Sequence, residues 1–577
     1  MVAIPGFENL EKIKRDYQWY DLNNHKYGPL KYGQKYAGGV PILYDVQSQR
    51  IYVDSQDTHT LIYGATGSLK TRSIVMPSIK LLAYANESMI INDAKGELYD
   101  RLAGELYEQG FDIVVINLRN PSTGNCWNPL FLPYQFYLQG DIDRACEFIN
   151  DIANNLTSED KSTQDPFWDN SAADLTFGLI LLLFKYCKEH NESIDAVNIS
   201  NVLALRRKLF LAEKTKRPKD TDVWQYAEED ELIATSLSGT VFSPNDTMNS
   251  ILSVFDNKMR IFSLQPTLTD MLANNDFDIA DIGRKKTALF MIVPDEKTTY
   301  HRLVSLFIKQ SYEYLIFTAM HNGSKKVENR VNYCLDEFSS LPSVADFPAM
   351  ITAARSRDIR FILVVQSQSS LKRRYQEEAD TIIGNCANWI FFTSRELGLL
   401  RELSELCGMQ KNNQTPNIST YDLQHFDKDK KEALILCGRY KPAKVSMIDI
   451  DNPFLSGKSY NILKIQTGIR RSRKALAFHF TEDEIKKFRH VSINNPFLNE
   501  NACSDTFPVV VPEKKIDSEY EIVLEAIDTI IKEQPEKKIN FESVTSLSNS
   551  DENQIETKPQ SLSFEQMLEE LDSDEWT

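Results

Sequence analysis

The sequence predicts an α/β fold with a mostly parallel sheet that is interrupted by an all-helical domain. Strand-like and helix-like stretches alternate over residues 51–130, and the alternation resumes over residues 285–455. Such alternation is typical of a parallel sheet with helices on its faces. Residues 131–284 show helical periodicity with few strand candidates, which indicates an inserted helical domain.

Length and composition narrow the class of protein. With 577 residues and 42% hydrophobic content, the chain is long enough for two or more domains. The net charge of −17 argues against a generally basic protein that coats nucleic acid. The eight cysteines are scattered without a C-x-x-C pair, which favours core thiols in a reducing compartment. The longest apolar run, Leu175–Phe184, is about half of what a membrane crossing needs, so we expect a soluble chain.

The two ends differ in composition from the centre. Residues 1–50 are rich in Tyr, Gly and Lys and are expected to form an extended N-terminal arm. Residues 456–514 form a C-terminal extension, and residues 515–577 an acidic, largely disordered tail. In that tail, Phe564–Leu571 has four apolar residues on one helical face. This stretch is either a frayed acidic end or a short helix that docks into a partner.

The first boundary between a strand and a helix carries a phosphate-binding pattern. Its residues are Gly64, Ala65, Thr66, Gly67, Ser68, Leu69, Lys70 and Thr71. In a P-loop the backbone N–H groups and the helix N-terminus bind phosphates, the lysine reaches the β- and γ-phosphates, and the Thr hydroxyl holds Mg²⁺. Leu69 stands where the pattern has glycine, and it restricts the backbone there. The alternative is a tight strand-to-helix turn without a ligand.

A pair of acids follows a later strand. Tyr333–Leu335 is apolar and leads directly into Asp336 and Glu337. In P-loop ATPases the first such acid holds Mg²⁺ and the second polarises the attacking water. On its own the pair could be an ordinary acidic strand end, but its place after a P-loop favours an ATPase.

Arg355 and Gln366 complete the candidate site. Arg355 lies in a helix-like stretch, and Gln366 ends the strand that follows it. An amide at that position could sense the γ-phosphate, and an arginine on the surface of an oligomer could reach the phosphate of a neighbouring subunit. The alternatives are a solvated helix arginine and a polar strand end.

Taken in chain order, these segments resemble the type IV secretion system coupling proteins, the conjugative DNA-transfer ATPases related to the FtsK and RecA-like motors. The resemblance covers roughly residues 30–450 and implies a RecA-like P-loop ATPase domain that uses ATP and Mg²⁺. Further matching segments are Asp93–Tyr99, Trp127–Leu130, Phe167–Asp169, Leu371–Tyr375 and Ile382–Cys386.

The resemblance also implies roles for individual residues. Lys70 and Thr71 match the phosphate and Mg²⁺ ligands, Asp336 the metal acid, Glu337 the catalytic base, Arg355 the inter-subunit arginine finger and Gln366 the sensor glutamine. Because Leu69 departs from the pattern, nucleotide binding is expected to persist, whereas hydrolysis stays open. The alternatives are a non-hydrolysing substrate receptor or adaptor with a degenerate P-loop, and a DNA translocase outside conjugation.

The family's partners and location follow in the same way. Coupling proteins form hexameric rings that move single-stranded DNA with its attached relaxase towards a secretion channel, and their all-alpha domain recognises relaxosome or protein substrates. Lys372, Arg373 and Arg374 are candidates for a basic pore lining, with an ordinary charged loop as the alternative. Most members begin with two transmembrane helices, and this chain starts where those would end. The chain is therefore either a natural variant without these helices, recruited by a membrane partner, or a truncated form. In both cases we expect a cytoplasmic protein at the inner face of the membrane, held there by a partner.

Overall fold

The computed structural model describes residues 7–8, 10–30, 34–157, 166–211, 217–321, 323–410, 415–438, 440–456, 462–466 and 471–480. The acidic tail, with its candidate helix at Phe564–Leu571, lies outside the described residues, as does most of the C-terminal extension.

The strands form two sheets in the described part of the chain. Their bounds are β1 Gln18–Asp21, β2 Lys26–Tyr27, β3 Val40–Asp45, β4 Arg50–Asp54, β5 Thr60–Tyr63, β6 Ser88–Asp93, β7 Asp112–Asn117, β8 Thr287–Ile292, β9 Val331–Leu335, β10 Ile359–Val365, β11 Asn388–Phe391, β12 Glu432–Cys437 and β13 Ala443–Ser446. The larger sheet has the order β13-β12-β11-β5-β10-β9-β6-β8-β7. Its strands from β11 to β7 are parallel, whereas β12 and β13 form the predicted antiparallel hairpin. Central strands such as β6, β8 and β10 are buried throughout, as expected for a sheet covered on both faces.

The helices confirm the predicted interruption of the sheet. Their bounds are α1 Leu10–Asp16, α2 Met76–Tyr84, α3 Glu97–Glu108, α4 Phe131–Gln139, α5 Ile142–Thr157, α6 Pro166–Glu189, α7 Ile199–Leu211, α8 Asp222–Ala227, α9 Glu231–Val241, α10 Asn245–Leu264, α11 Pro266–Met271, α12 Ile279–Arg284, α13 His301–His321, α14 Phe347–Ala354, α15 Gln368–Tyr375, α16 Glu378–Asn385, α17 Leu397–Leu406, α18 Thr420–Gln424 and α19 Pro453–Ser456. Helices α4 to α12 lie between β7 and β8 in the chain. The α/β fold with an all-helical insertion is therefore confirmed.

The N-terminal segment differs from the prediction of an extended arm. It contains α1 and, together with β4, forms a four-stranded antiparallel sheet in the order β2-β1-β4-β3. This sheet packs on the main domain, where the Tyr27 hydroxyl donates to the Leu81 carbonyl of α2 at 2.7 Å. The Tyr and Gly content that suggested an arm instead supplies core residues such as Tyr20.

Helix α6 is the centre of the helical insertion. By length and composition it is apolar enough to cross a membrane, but most of its apolar stretch is buried inside the protein. It packs against α5, α9 and α10, so it serves as a core helix. The insertion is fixed to the α/β domain near β7, where the Trp127 indole donates to Gln310 of α13 at 3.1 Å.

The described part of the C-terminal extension crosses both the α/β domain and the insertion. The Tyr99 hydroxyl of α3 donates to the Leu463 carbonyl at 3.0 Å. Further along, Arg473 pairs with Asp270 at 2.7 Å, and the Phe480 ring is buried against helices of the insertion. No periodicity in the sequence indicates this path, because an extended segment that packs on other elements has no repeat of its own.

Candidate nucleotide site

The candidate site lies at one edge of the main sheet, where three neighbouring parallel strands end. β5 leads into the phosphate loop, β10 ends before Gln366, and β9 ends before Asp336. β10 pairs with both β5 and β9 and so lies between them. Because the carboxyl ends of parallel strands meet at one edge, residues far apart in the sequence converge there.

The start of the phosphate loop is anchored on two strand ends. The N–H of Gly64 donates to the Val365 carbonyl at 3.2 Å, and the N–H of Ala65 donates to the Thr393 carbonyl at 3.0 Å. A Cβ atom on Gly64 would lie 2.5 Å from Ser68 Oγ. Glycine is therefore required at this position because the loop folds tightly back over it.

Leu69 adopts a left-handed backbone conformation, with φ +69°, beside Gly67 at φ +77°. A residue with a Cβ atom is strained there by about 1–2 kcal/mol. Its half-buried side chain lines a cavity of about 100 Å³ together with Phe392 and Phe426. The chain thus forms the loop with a leucine in a conformation that favours glycine, and the side chain faces a cavity that two phenylalanines and several charged residues line.

Replacing Leu69 by glycine is expected to change hydrolysis by less than about threefold and the free energy of unfolding by less than about 1 kcal/mol. Relief of the backbone strain is offset by the greater freedom of glycine in the unfolded chain, about 0.5–1 kcal/mol. The measurements are steady-state ATPase rates and denaturant unfolding. Leu69→Ala, which keeps the strain but removes the apolar side chain, is the control. A gain of tenfold or more in Leu69→Gly would mean that the leucine silences the site.

Lys70 and Ser68 place polar atoms inside the loop. Lys70 is 6% exposed, and its ammonium donates to the carbonyl oxygens of Gly64 and, at 3.2 Å, Ala65. Burial lowers the pKa of Lys70. Among the described residues, the buried Ser68 hydroxyl oxygen has no hydrogen-bond partner. An ammonium and an unsatisfied hydroxyl in a glycine-containing loop fit the oxygens of a phosphate chain.

Thr71 and Asp336 are far apart in the sequence but lie next to each other in the structure. Thr71 Oγ1 lies 3.3 Å from Asp336 Oδ2. Burial, reinforced by the negative charge of Glu337, raises the pKa of Asp336 to about 6. A hydroxyl and a buried carboxylate are the oxygen ligands that Mg²⁺ prefers beside phosphates, so the two residues fit this ion.

Glu337 and Gln366 are joined directly. The Gln366 side-chain amide donates to Glu337 Oε2 at 2.7 Å. Glu337 has φ +54°, and its own N–H donates to Asp336 Oδ1 at 3.0 Å. A non-glycine residue in this conformation persists only where its surroundings hold it. The sequence predicts both side chains at this site but does not predict the hydrogen bond between them.

Sequence reasoning missed two residues at the end of β6: Asn92, which supports the acid pair, and Asp93, which holds the start of α3. The Asn92 side-chain amide donates to the Asp336 carbonyl at 2.7 Å. The Asp93 carboxylate accepts the N–H of Gly96 at 2.9 Å and of Tyr99 at 2.8 Å, and burial raises its pKa to about 6. The matching segment Asp93–Tyr99 was a signal for this loop, although not for its role as a support.

Arg355 is not brought to the phosphate loop of its own chain. It precedes the amino end of β10, whereas the phosphate loop follows the carboxyl end of β5. β10 has seven residues, so its two ends lie about 23 Å apart.

Lys372, in the candidate basic stretch, lies on α15 and pairs with Asp380 at 3.0 Å.

Comparisons with known proteins show which family this chain is similar to. The family model described as type IV secretory system conjugative DNA transfer matches residues 17–433. The chain is 23% identical to the protein VirD4 of Rhizobium rhizogenes over 336 residues, 56% of this chain and 45% of the relative. It is 21% identical to the protein VirD4 of Agrobacterium fabrum over 426 residues, 72% of this chain and 58% of the relative. The chain thus spans about half the length of the curated relatives it matches.

A solved structure shares the fold. It is the bacterial conjugative coupling protein TrwBdeltaN70 in its unbound monoclinic form, with a TM-score of 0.51 and 15% sequence identity. The match covers 74% of this chain and 91% of that chain.

Proposed function

Because this chain belongs to the type IV secretory system conjugative DNA transfer family, we propose that it is an ATP-dependent coupling protein. In this role it recruits relaxase-bound single-stranded DNA or protein substrates and drives them to a type IV secretion channel. The observation that carries the proposal is the convergence of Lys70, Thr71 and Asp336 at one edge of the sheet.

The residues at this edge of the sheet have different roles in ATP hydrolysis. Lys70 would contact the β- and γ-phosphates, and Thr71 and Asp336 would hold Mg²⁺, which neutralises charge on the phosphate oxygens when bound. Glu337 would orient and polarise the attacking water. Gln366 would keep the Glu337 carboxylate in place through the bond that joins them.

Arg355 supports an oligomeric form of the enzyme. Because it lies at the opposite edge of the sheet from the phosphate loop, any contribution to catalysis would be at the site of a neighbouring subunit. We therefore propose a homohexamer whose sites are completed between subunits. In the cell, the ring would stand at the cytoplasmic face of the membrane and be held by a membrane-anchoring partner.

The test is ATPase activity measured against protein concentration, with and without single-stranded DNA. Specific activity is expected to rise with concentration as subunits meet, and to rise further with DNA. At high protein concentration, Arg355→Ala should lower the ATPase rate by about 10³-fold or more, which is the range for the loss of an arginine finger. Arg357→Ala, two residues away, is the matched control and should behave like the unmodified chain. Failure of the unmodified chain to bind any nucleotide with Mg²⁺ would contradict the proposal.

The same experiment addresses the alternative of a non-hydrolysing substrate receptor. That alternative depends on Leu69, the residue whose strained backbone sets this loop apart. A chain that binds nucleotide, forms oligomers and hydrolyses nothing would favour the receptor over the motor.

A further inference from the structure

His301 bridges two segments at the carboxyl edge of the sheet. It is the first residue of α13 and is only 5% exposed. Its Nε2 lies 3.1 Å from the Pro294 carbonyl oxygen, and its Nδ1 lies 3.2 Å from the Ser340 carbonyl oxygen. Carbonyl oxygens only accept hydrogen bonds, so each ring nitrogen faces a group that needs a donor.

The two carbonyls belong to functionally different segments. Pro294 begins the exposed loop after β8, in which Asp295 and Glu296 both pair with Arg119. Ser340 ends the short turn that directly follows the acid pair, and its N–H donates to the Glu337 carbonyl at 2.8 Å. His301 is therefore two hydrogen bonds away from the backbone of Glu337.

The turn after Glu337 has a particular need for such a support. Glu337 itself has a positive φ, a conformation that costs about 1–3 kcal/mol and must be held by its surroundings. Helix α13 makes a second hydrogen bond to the chain after Glu337, because the Ser305 hydroxyl donates to the Pro342 carbonyl at 3.0 Å. The first two turns of α13 thus fix the chain on both sides of Leu341.

A second buried histidine shows what an ordinary structural role looks like in this protein. His59 Nε2 lies 2.8 Å from the Ile351 carbonyl, and its Nδ1 accepts the N–H of Phe361 at 3.0 Å. One donor and one acceptor are what a neutral imidazole offers, so His59 is fully satisfied within the core. It precedes β5 and lies at the edge of the sheet away from the phosphate loop.

We propose that His301 is a positioning residue for Glu337. By donating to the Ser340 carbonyl, His301 fixes the turn that sets the backbone of the catalytic glutamate. The effect on hydrolysis rests on the proposed ATPase function, whereas the effect on the turn does not.

The experiment compares His301→Phe with His59→Phe, because each keeps a buried ring and removes both ring nitrogens. In His301→Phe, amide hydrogen exchange over residues 338–342 is expected to rise by about tenfold, the loss of one or two buried hydrogen bonds. The kcat for ATP should fall by about tenfold or more, while the Kd of a non-hydrolysable ATP analogue with Mg²⁺ stays within about threefold, since His301 does not touch the phosphate loop. In His59→Phe, exchange over residues 338–342 and kcat should stay near those of the unmodified chain.

The exchange measurement tests the proposed role of His301 directly. Unchanged exchange over residues 338–342 in His301→Phe, or an equal rise in His59→Phe, would overturn the proposal. If His301→Phe does not fold, His301→Asn replaces it in the experiment. This variant keeps one amide donor group, so amide exchange over residues 338–342 should rise, but by less than the rise expected for His301→Phe. No rise would overturn the proposal. If the unmodified chain hydrolyses no ATP, the proposed function fails, and the exchange measurement still decides the role of His301.

Discussion

Glu337→Gln is expected to lower the rate of ATP hydrolysis by about 10²–10⁴-fold, the usual contribution of a general base. The substitution removes the negative charge that would polarise the attacking water. Its amide keeps an oxygen that can accept the hydrogen bond from Gln366, now 2.7 Å long, so the local geometry should persist. Nucleotide affinity should change little, because Lys70 and Thr71 are untouched.

Single-turnover hydrolysis and the Kd of a fluorescent ATP analogue separate the two effects. Lys70→Ala, by contrast, should lose nucleotide binding itself. Glu402→Gln is the matched control, because Glu402 also accepts a hydrogen bond from a glutamine amide, that of Gln368 at 3.0 Å, and lies on α17 and not after β5 or β9. Hydrolysis by Glu337→Gln at the rate of the unmodified chain would assign the catalytic base to another residue.

Much of this site could be predicted because its residues are defined by short patterns. Lys70 and Thr71 follow a strand and open a helix, and Asp336 directly follows a strand, so each could be placed at a strand end from its neighbours alone. Their approach to 3.3 Å follows once the strands are parallel and close together. The insertion was predictable for a related reason, since helical periodicity without strands persists over its length.

The remaining features depend on partners that lie far away in the sequence. The local sequence does not predict that β10 lies between β5 and β9. No pattern in residues 1–50 predicts that they form a sheet. The positive φ of Leu69 is set by the loop as a whole and not by leucine, whose own preference is the opposite. His301 has no sequence pattern, because its two acceptors are backbone carbonyls that any residue could supply.

A buried ion cluster at the other edge of the sheet illustrates the same limit and carries the largest expected effect on stability. Glu87 is fully buried, and its carboxylate lies 2.8 Å from the guanidinium of Arg360 and 3.9 Å from that of Arg330. It also accepts the N–H of Gly38 at 3.0 Å and the side-chain amide of Asn332 at 3.1 Å. The cluster therefore joins the segment before β3 to β9 and β10.

Glu87→Ala is expected to lower the free energy of unfolding by about 3–5 kcal/mol, because it removes the carboxylate that pairs with the buried guanidinium of Arg360, whereas Arg330 keeps its ion pair with Asp57. Burial and the neighbouring Arg360 already lower the pKa of Arg330, which shows how poorly this environment tolerates a positive charge. Denaturant unfolding followed by circular dichroism measures the loss. Glu87→Gln, which keeps the shape but not the charge, should lose nearly as much, whereas Asp220→Ala should cost less than about 1 kcal/mol, since Asp220 pairs with Arg217 in solvent. A loss below about 1 kcal/mol in Glu87→Ala would mean that solvent reaches the arginines, and that neither the charge of Glu87 nor its hydrogen bonds with Gly38 and Asn332 hold this edge together.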